Sequence, residues 1–147
     1  MEIEQVIDHI QNRGYMSGVE RDKARVKATG EVFTPDSLAN EVLESTIDHM
    51  NDDERKNFVN SSWVDPACGD GSLLGAVVIA KMRHGATFIQ AIETVKGYDI
   101  EQSNVDEAIR RLSCGNSQAE QILKSRIIRQ NAGTICNNNF NNLFDLG

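Results

Sequence analysis

The sequence predicts an α/β fold of about three parallel strands with helices on both faces. Short β-prone runs alternate along the chain with segments whose apolar residues recur at helical spacing. Parallel strands must be joined by crossover segments, so this alternation favours a parallel sheet with right-handed connections. The length of 147 residues and the hydrophobic fraction of 39% fit one globular domain and exclude a wholly disordered chain.

The first 30 residues predict an amphipathic helix followed by a basic arm. The apolar residues at helical spacing are Ile3, Val6, Ile7 and Ile10, and Gly14 follows as a stop signal. The arm, residues 18–30, has few large apolar side chains and contains Arg21, Lys23, Arg25 and Lys27. Such a stretch is more often a charged linker than an arm that contacts phosphates.

A second helix is predicted to begin at Thr34-Pro35-Asp36. Thr34 fits the N-cap, Pro35 fits the first helical position, and Asp36 lies near the positive end of the helix dipole. A short helical piece over residues 52–59 then precedes Ser62-Trp63-Val64, a β-prone run. This run stops at Asp65-Pro66, which is typical of a strand that ends in a tight turn.

The middle of the chain predicts a helix, a short helical turn and a second strand. The apolar spacing from Ser72 is helical and ends near Gly85, and residues 87–93 add another turn. Val95 to Ile100 is β-prone, which predicts the second strand.

Two capping signatures predict the helices that follow. Ser103 with Asp106 and Ser117 with Glu120 have the spacing of capping boxes. The third strand is predicted within residues 132–136, before a tail rich in asparagine.

Charge, cysteine usage and hydropathy limit the function classes. Fifteen Lys and Arg against 22 Asp and Glu give a net charge of −7, so nucleic acid is expected to bind only weakly or through a partner. Three cysteines without C-x-x-C spacing favour neither a disulfide framework nor a zinc site, which fits a cytoplasmic protein. The longest apolar run, residues 73–80, is less than half a membrane span, so no membrane segment and no targeting signal are predicted.

The most informative stretch is Asp65-Pro66-Ala67-Cys68-Gly69-Asp70-Gly71, which joins a strand to a helix. Glycines here permit positive φ and a close approach of a ligand to the backbone. The carboxylate of Asp65 suits a ligand with an amine or hydroxyls, because a pyrophosphate would be repelled. This charge and the position of Gly75 disfavour a nicotinamide-binding module. Cys68 fits a small packing residue better than a nucleophile.

Two motifs together resemble the class I S-adenosylmethionine-dependent DNA adenine (N6) methyltransferase family. They are Gly30-Glu31-Val32-Phe33-Thr34-Pro35 and the stretch from Asp65 to Leu74. The resemblance implies a truncated Rossmann-like methyltransferase fold, with S-adenosyl-L-methionine as cofactor and residues 31–147 as its binding half-domain. It also implies that the first motif touches the methionine end of the cofactor and the second wraps it. The implied cofactor-binding residues of these motifs are Phe33, Thr34, Pro35, Asp65, Ala67, Gly69 and Gly71.

The resemblance extends to the ends of the second and third strands. By position Asp99 would hold the ribose hydroxyls, and Ile100 would pack on the adenine ring. A carboxylate matches a cis-diol chemically. The acid that ends the family's third strand corresponds to Asn138, although the three consecutive asparagines 137–139 leave this register open and a plain polar loop is equally compatible.

One catalytic element of the family is missing from this sequence. The family's Asn/Asp/Ser-Pro-Pro-Tyr/Phe/Trp loop stacks the flipped base, whereas the only two prolines here, Pro35 and Pro66, are far apart. The family's fourth strand is also expected beyond Gly147. The resemblance therefore implies a cofactor-binding half that methylates DNA only when a partner supplies the target pocket, so no catalytic residue is assigned. The chain is also similar to short phage-type methylase-subunit-like proteins, which implies the bacterial host cytoplasm. The alternative is a catalytically silent phage protein of the anti-restriction type that binds the cofactor or a host protein.

A partner is expected at the edge of the first strand. In the family this strand lies between the second and fourth strands, so one side would be left unpaired here. A homodimer or a second subunit is the favoured occupant. The N-terminal helix and the asparagine-rich tail are the alternatives within the chain.

Overall fold

The computed structural model describes residues 1–11 and 36–131, and the arm 18–30 lies outside them. Ten elements follow in chain order: α1 (Ile3–Gln11), α2 (Asp36–Asp48), α3 (Asp52–Phe58), β1 (Trp63–Asp65), α4 (Ser72–Arg83), α5 (Phe88–Ile92), β2 (Val95–Asp99), α6 (Gln102–Ser113), α7 (Ser117–Lys124) and β3 (Ile127–Arg129). No helix in these two ranges is long and apolar enough to cross a membrane.

The three strands form an open, all-parallel sheet in the order β1-β2-β3. Asp65 pairs with Gly97, and Asp99 pairs with Arg129, so β2 runs two residues past the end of β1. The α/β class with three parallel strands is confirmed. The carboxyl ends of β1 and β2 meet at one edge, where ligands bind in open α/β sheets.

The helices that follow β1 and β2 cover one face of the sheet. Both crossovers run in the same direction, so right-handed connections place α4 and α6 on the same side. Val95 and Ile127 face these helices and are buried, whereas Tyr98 and Ile128 share the opposite face and are partly exposed. Helices on that opposite face stay a prediction.

The N-terminal helix α1 packs against α4 and α6. Its buried residues are Val6 and Ile10, which are 0% and 2% exposed. A Cβ added at Gly75 of α4 would lie 2.7 Å from Cγ2 of Ile10, so α1 approaches α4 closely at this glycine. α1 is therefore seated on the helical layer.

Among the described residues, β1 pairs with β2 alone, so its other side is a sheet edge within these ranges. The partner expected at that edge stays a prediction.

The structure corrects three details of the sequence analysis. The third strand of the sheet is Ile127–Arg129, upstream of the expected residues 132–136, which lie outside the described residues. Ser103 lies inside α6, whose N-cap is Glu101 without a side-chain cap bond. Asn116 caps α7 instead of Ser117, because its side chain accepts a hydrogen bond from the Ala119 amide.

Candidate functional site

The site is built around residues 66–71, here called the glycine loop, which joins β1 to α4. Asp65 ends β1, and its Oδ1 accepts a hydrogen bond of 3.1 Å from the Ala67 amide, which closes an Asx turn. The Cys68 amide then donates to the Tyr98 carbonyl at 2.8 Å. This bond continues the backbone pairing beyond β1, so the loop is fixed directly above the end of β2.

Glycines 69 and 71 have φ values of 54° and 86°, in the left-handed region. Gly71 is the N-cap of α4, so the first amide groups of α4 follow the loop. A Cβ at Gly71 would lie 3.1 Å from Cβ of Ala108 and 3.3 Å from Cδ1 of Leu112. Backbone conformation and close packing on α6 therefore both require glycine at position 71.

Asp99, at the end of β2, holds the glycine loop and the start of α6. Its Oδ2 accepts from the Gly69 amide at 3.0 Å. Its Oδ1 accepts from the Glu101 amide at 2.9 Å and from Nδ2 of Asn104 at 3.1 Å. A carboxylate has about four lone-pair positions. Donors in the described residues therefore occupy three of them and leave one on Oδ2.

The site is negatively charged. Burial raises the pKa of the Asp65 carboxyl, the Ala67 amide lowers it, and the charge of Asp99 raises it further. Within residues 1–11 and 36–131, neither Asp65 nor Asp99 forms an ion pair with a basic side chain. A cationic group of a ligand would therefore meet two carboxylates whose charge is not neutralised there.

The structure brings together six of the ten residues expected to bind the cofactor. They are Asp65, Ala67, Gly69, Gly71, Asp99 and Ile100. Ile100 is 53% exposed beside Asp99, so its side chain is free to contact a ligand. The other four, Phe33, Thr34, Pro35 and Asn138, lie outside the described residues.

A buried ion pair behind the glycine loop was not expected from the sequence. Nη1 of Arg111, on α6, lies 3.2 Å from Oδ1 of Asp70, and both side chains are at most 2% exposed. Nη1 also donates to the Asp70 carbonyl at 2.9 Å, and Nε donates to the Ile10 carbonyl of α1 at 2.7 Å. Arg110 and Arg111 are consecutive basic residues in the last turn of α6, and no local pattern distinguishes the buried arginine from the exposed one.

Cys68 is buried in the loop and packs beside Gly97 of β2. Burial raises the pKa of its thiol, and the charges of Asp65, Asp99 and Asp70 raise it further. A Cβ at Gly97 would lie 2.9 Å from both Cβ and Sγ of Cys68, so this glycine makes room for the cysteine. The described part of the chain contains no group of three or more His, Cys, Asp or Glu residues able to hold a metal ion.

Comparison with known proteins adds no assignment. No family model matches the chain, and no solved structure matches it. Any inference about function therefore rests on the chemistry of the glycine loop and of the Asp65 and Asp99 carboxylates.

Proposed function

We propose that this chain binds S-adenosylmethionine at the carboxyl ends of β1 and β2 and serves as the cofactor-binding half of a DNA adenine-N6 methyltransferase. Methyl transfer to DNA would then require a partner that supplies the target pocket. The ligand carries a sulfonium and an ammonium, two ribose hydroxyls and an apolar-faced adenine ring. These groups match the acidic, acceptor and apolar parts of the site.

The observation that carries the proposal is the pair of carboxylates flanking the glycine loop. Asp65 and Asp99 end neighbouring strands, and neither is ion-paired with a described residue. Hydrogen-bond donors of the chain already reach both carboxylates, but no described cation offsets the repulsion between their charges. The positively charged methionine end of the ligand would supply that cation.

Each residue has a distinct role in this proposal. Asp65 attracts the positively charged methionine end, and the remaining lone-pair position of Asp99 accepts one ribose hydroxyl. Ile100 packs on one face of the adenine. Because Asp99 already receives three bonds from the protein, a bidentate clasp of both hydroxyls would displace one of them. Asp99 thus positions the loop and binds the ligand with the same carboxylate.

Calorimetric titration with S-adenosylmethionine tests the proposal. Wild-type protein is expected to bind, and Asp99→Ala is expected to weaken binding by about 1–3 kcal/mol, the scale of a charge-assisted hydrogen bond. Glu93→Ala is the matched control, because Glu93 is an exposed acid before the opposite end of β2. It is expected to leave the affinity unchanged.

Three results would count against this site. Failure of the wild-type chain to bind at millimolar ligand would remove the proposed function. Unchanged affinity in Asp99→Ala would remove Asp99 from the site. Equal losses in Asp99→Ala and Glu93→Ala would show that net charge alone, and not the geometry at the glycine loop, governs binding.

The absence of a Pro-Pro dipeptide in this sequence favours a second candidate, a catalytically silent binder of the cofactor or of a host protein. Transfer of a labelled methyl group to unmethylated DNA separates the two. The isolated chain is expected to transfer none, because the groups that stack the base and polarise its amine are missing. Methyl transfer that appears on adding bacterial extract supports a target pocket supplied by a partner. No methyl transfer with the extract supports the catalytically silent binding protein. Robust turnover by the purified chain would contradict both.

A further inference from the structure

We propose that the N-terminal helix α1 is a clamp on the glycine loop, so that docking of α1 and ligand binding at the loop strengthen each other. This inference deepens the proposed function and rests on it for the identity of the ligand. The coupling itself is a property of the chain and can be measured without any ligand.

Arg111 connects the two elements directly. Its Nε donates to the Ile10 carbonyl in the last turn of α1, where carbonyl groups lack partners within the helix. Its Nη1 donates to the Asp70 carbonyl and pairs with the Asp70 carboxylate inside the loop. The guanidinium is planar and rigid, so one side chain holds both partners in a fixed relative position.

The loop is tied to this pair by further contacts. Oγ of Ser72 donates to Oδ1 of Asp70 at 3.0 Å, and Nη1 of Arg111 donates to the same hydroxyl at 3.3 Å. Gly71 lies between Asp70 and Ser72 in the chain and packs on α6. A shift of Arg111 therefore moves the segment that caps α4.

The packing of α1 on α4 can be disturbed by a methyl group directed at α1. A Cβ at Gly75 would lie 2.7 Å from Cγ2 of Ile10, a β-branched side chain that is stiff at χ1. Alanine is a better helix former than glycine, so α4 itself tolerates the change. Gly75→Ala is thus expected to push α1 away from α4.

Two native cysteines allow the docking of α1 and the closure of the glycine loop to be measured separately. Cys114 is 3% exposed, and its Sγ lies 3.9 Å from the Val6 carbonyl of α1. Cys68 is 5% exposed inside the glycine loop. Alkylation by N-ethylmaleimide, resolved by peptide mass spectrometry, measures the opening of α1 at Cys114 and of the loop at Cys68.

The coupling predicts that Gly75→Ala accelerates alkylation at both cysteines, by about 5-fold or more at Cys68. In an Arg111→Lys background, where the ammonium cannot hold both partners, Gly75→Ala should still accelerate Cys114 but leave Cys68 nearly unchanged. Asp8→Ala, on the exposed side of α1, is the control and should change neither rate. Val6→Asp replaces Gly75→Ala if Cys114 remains protected in that variant.

Two outcomes would overturn the clamp. One is faster alkylation of Cys114 with no change at Cys68. The other is that alkylation of both cysteines accelerates by the same factor, and that this factor equals the loss of stability of the whole domain. Urea unfolding followed by Trp63 fluorescence measures that loss. With S-adenosylmethionine present, Gly75→Ala should weaken ligand binding about 5-fold or more. If the wild-type chain does not bind this ligand, the proposed function fails, whereas the alkylation rates still decide the clamp.

Discussion

Arg111→Leu is expected to lower the free energy of unfolding by about 3–5 kcal/mol. The substitution removes the Arg111 guanidinium from the buried Asp70 carboxylate, and the Ile10 and Asp70 carbonyls lose a donor. Breaking one side of a buried pair costs more than the pair itself contributes, because the remaining charge stays desolvated. Urea unfolding followed by the fluorescence of Trp63 measures the loss.

The neighbouring arginine supplies the matched control. Arg110 forms an ion pair with Glu107 at 2.6 Å, but its side chain is 45% exposed. Arg110→Leu is therefore expected to cost about 0–1 kcal/mol. Asp70→Asn in the Arg111→Leu background should recover part of the loss, since it removes the buried charge that Arg111 faces in the wild type. Equal costs at positions 110 and 111 would show that burial of the Arg111 pair has no energetic consequence.

Between pH 8 and 10.5, the free energy of unfolding is expected to rise by up to about 3 kcal/mol through Lys81 alone. The Lys81 side chain is fully buried, and desolvation lowers its pKa from 10.5 to about 8. Its amine donates to the Ser61 carbonyl and, at 2.7 Å, to Oγ1 of Thr94. These bonds do not offset the whole cost of burying the charge.

The sign follows from proton binding. Below pH 8 the amine is charged in both the folded and the unfolded chain, so folding bears the full cost of desolvation. Between the two pKa values the unfolded chain binds more protons, and stability therefore rises with pH. Above pH 10.5 the amine is neutral in both states and the cost is gone.

Comparison with Lys81→Met isolates this effect from other groups that titrate at high pH. The difference in unfolding free energy between wild type and Lys81→Met should rise in favour of wild type across this interval. Lys124→Met is the control, because the Lys124 side chain is 63% exposed and its amine stays in water. A wild-type minus Lys81→Met difference that is flat with pH would mean that water reaches the Lys81 amine.

The spacing of apolar residues predicted those helices and strands in which the spacing pattern is long or regular. The helical spacing after Ser72 predicted α4, and the β-prone run at Val95 predicted β2 to within one residue. β3 was placed too late, because Ile127 and Ile128 form an apolar run too short to be told from a helix end by periodicity. Residues 132–136 offered a competing β-prone run.

The candidate site was predictable only for its residues at the ends of strands. Asp65 and Asp99 follow β-prone runs, and parallel topology then brings them to one edge of the sheet. Arg111 was not predictable, because an arginine next to Arg110 in a helix fits a solvated face. Its partner Ile10 lies 101 residues away, and no local pattern reports a contact over that separation.

That separation has a consequence for synthesis on the ribosome. α1 is synthesised before the helices on which it packs, and Arg111 is added 101 residues after Ile10, an interval of about 5–20 s at typical elongation rates. A helix this short is marginal in water, so Val6 and Ile10 have no stable burial during that time. The nascent α1 segment therefore exposes apolar side chains to chaperones until α4 and α6 have both emerged and α1 can dock.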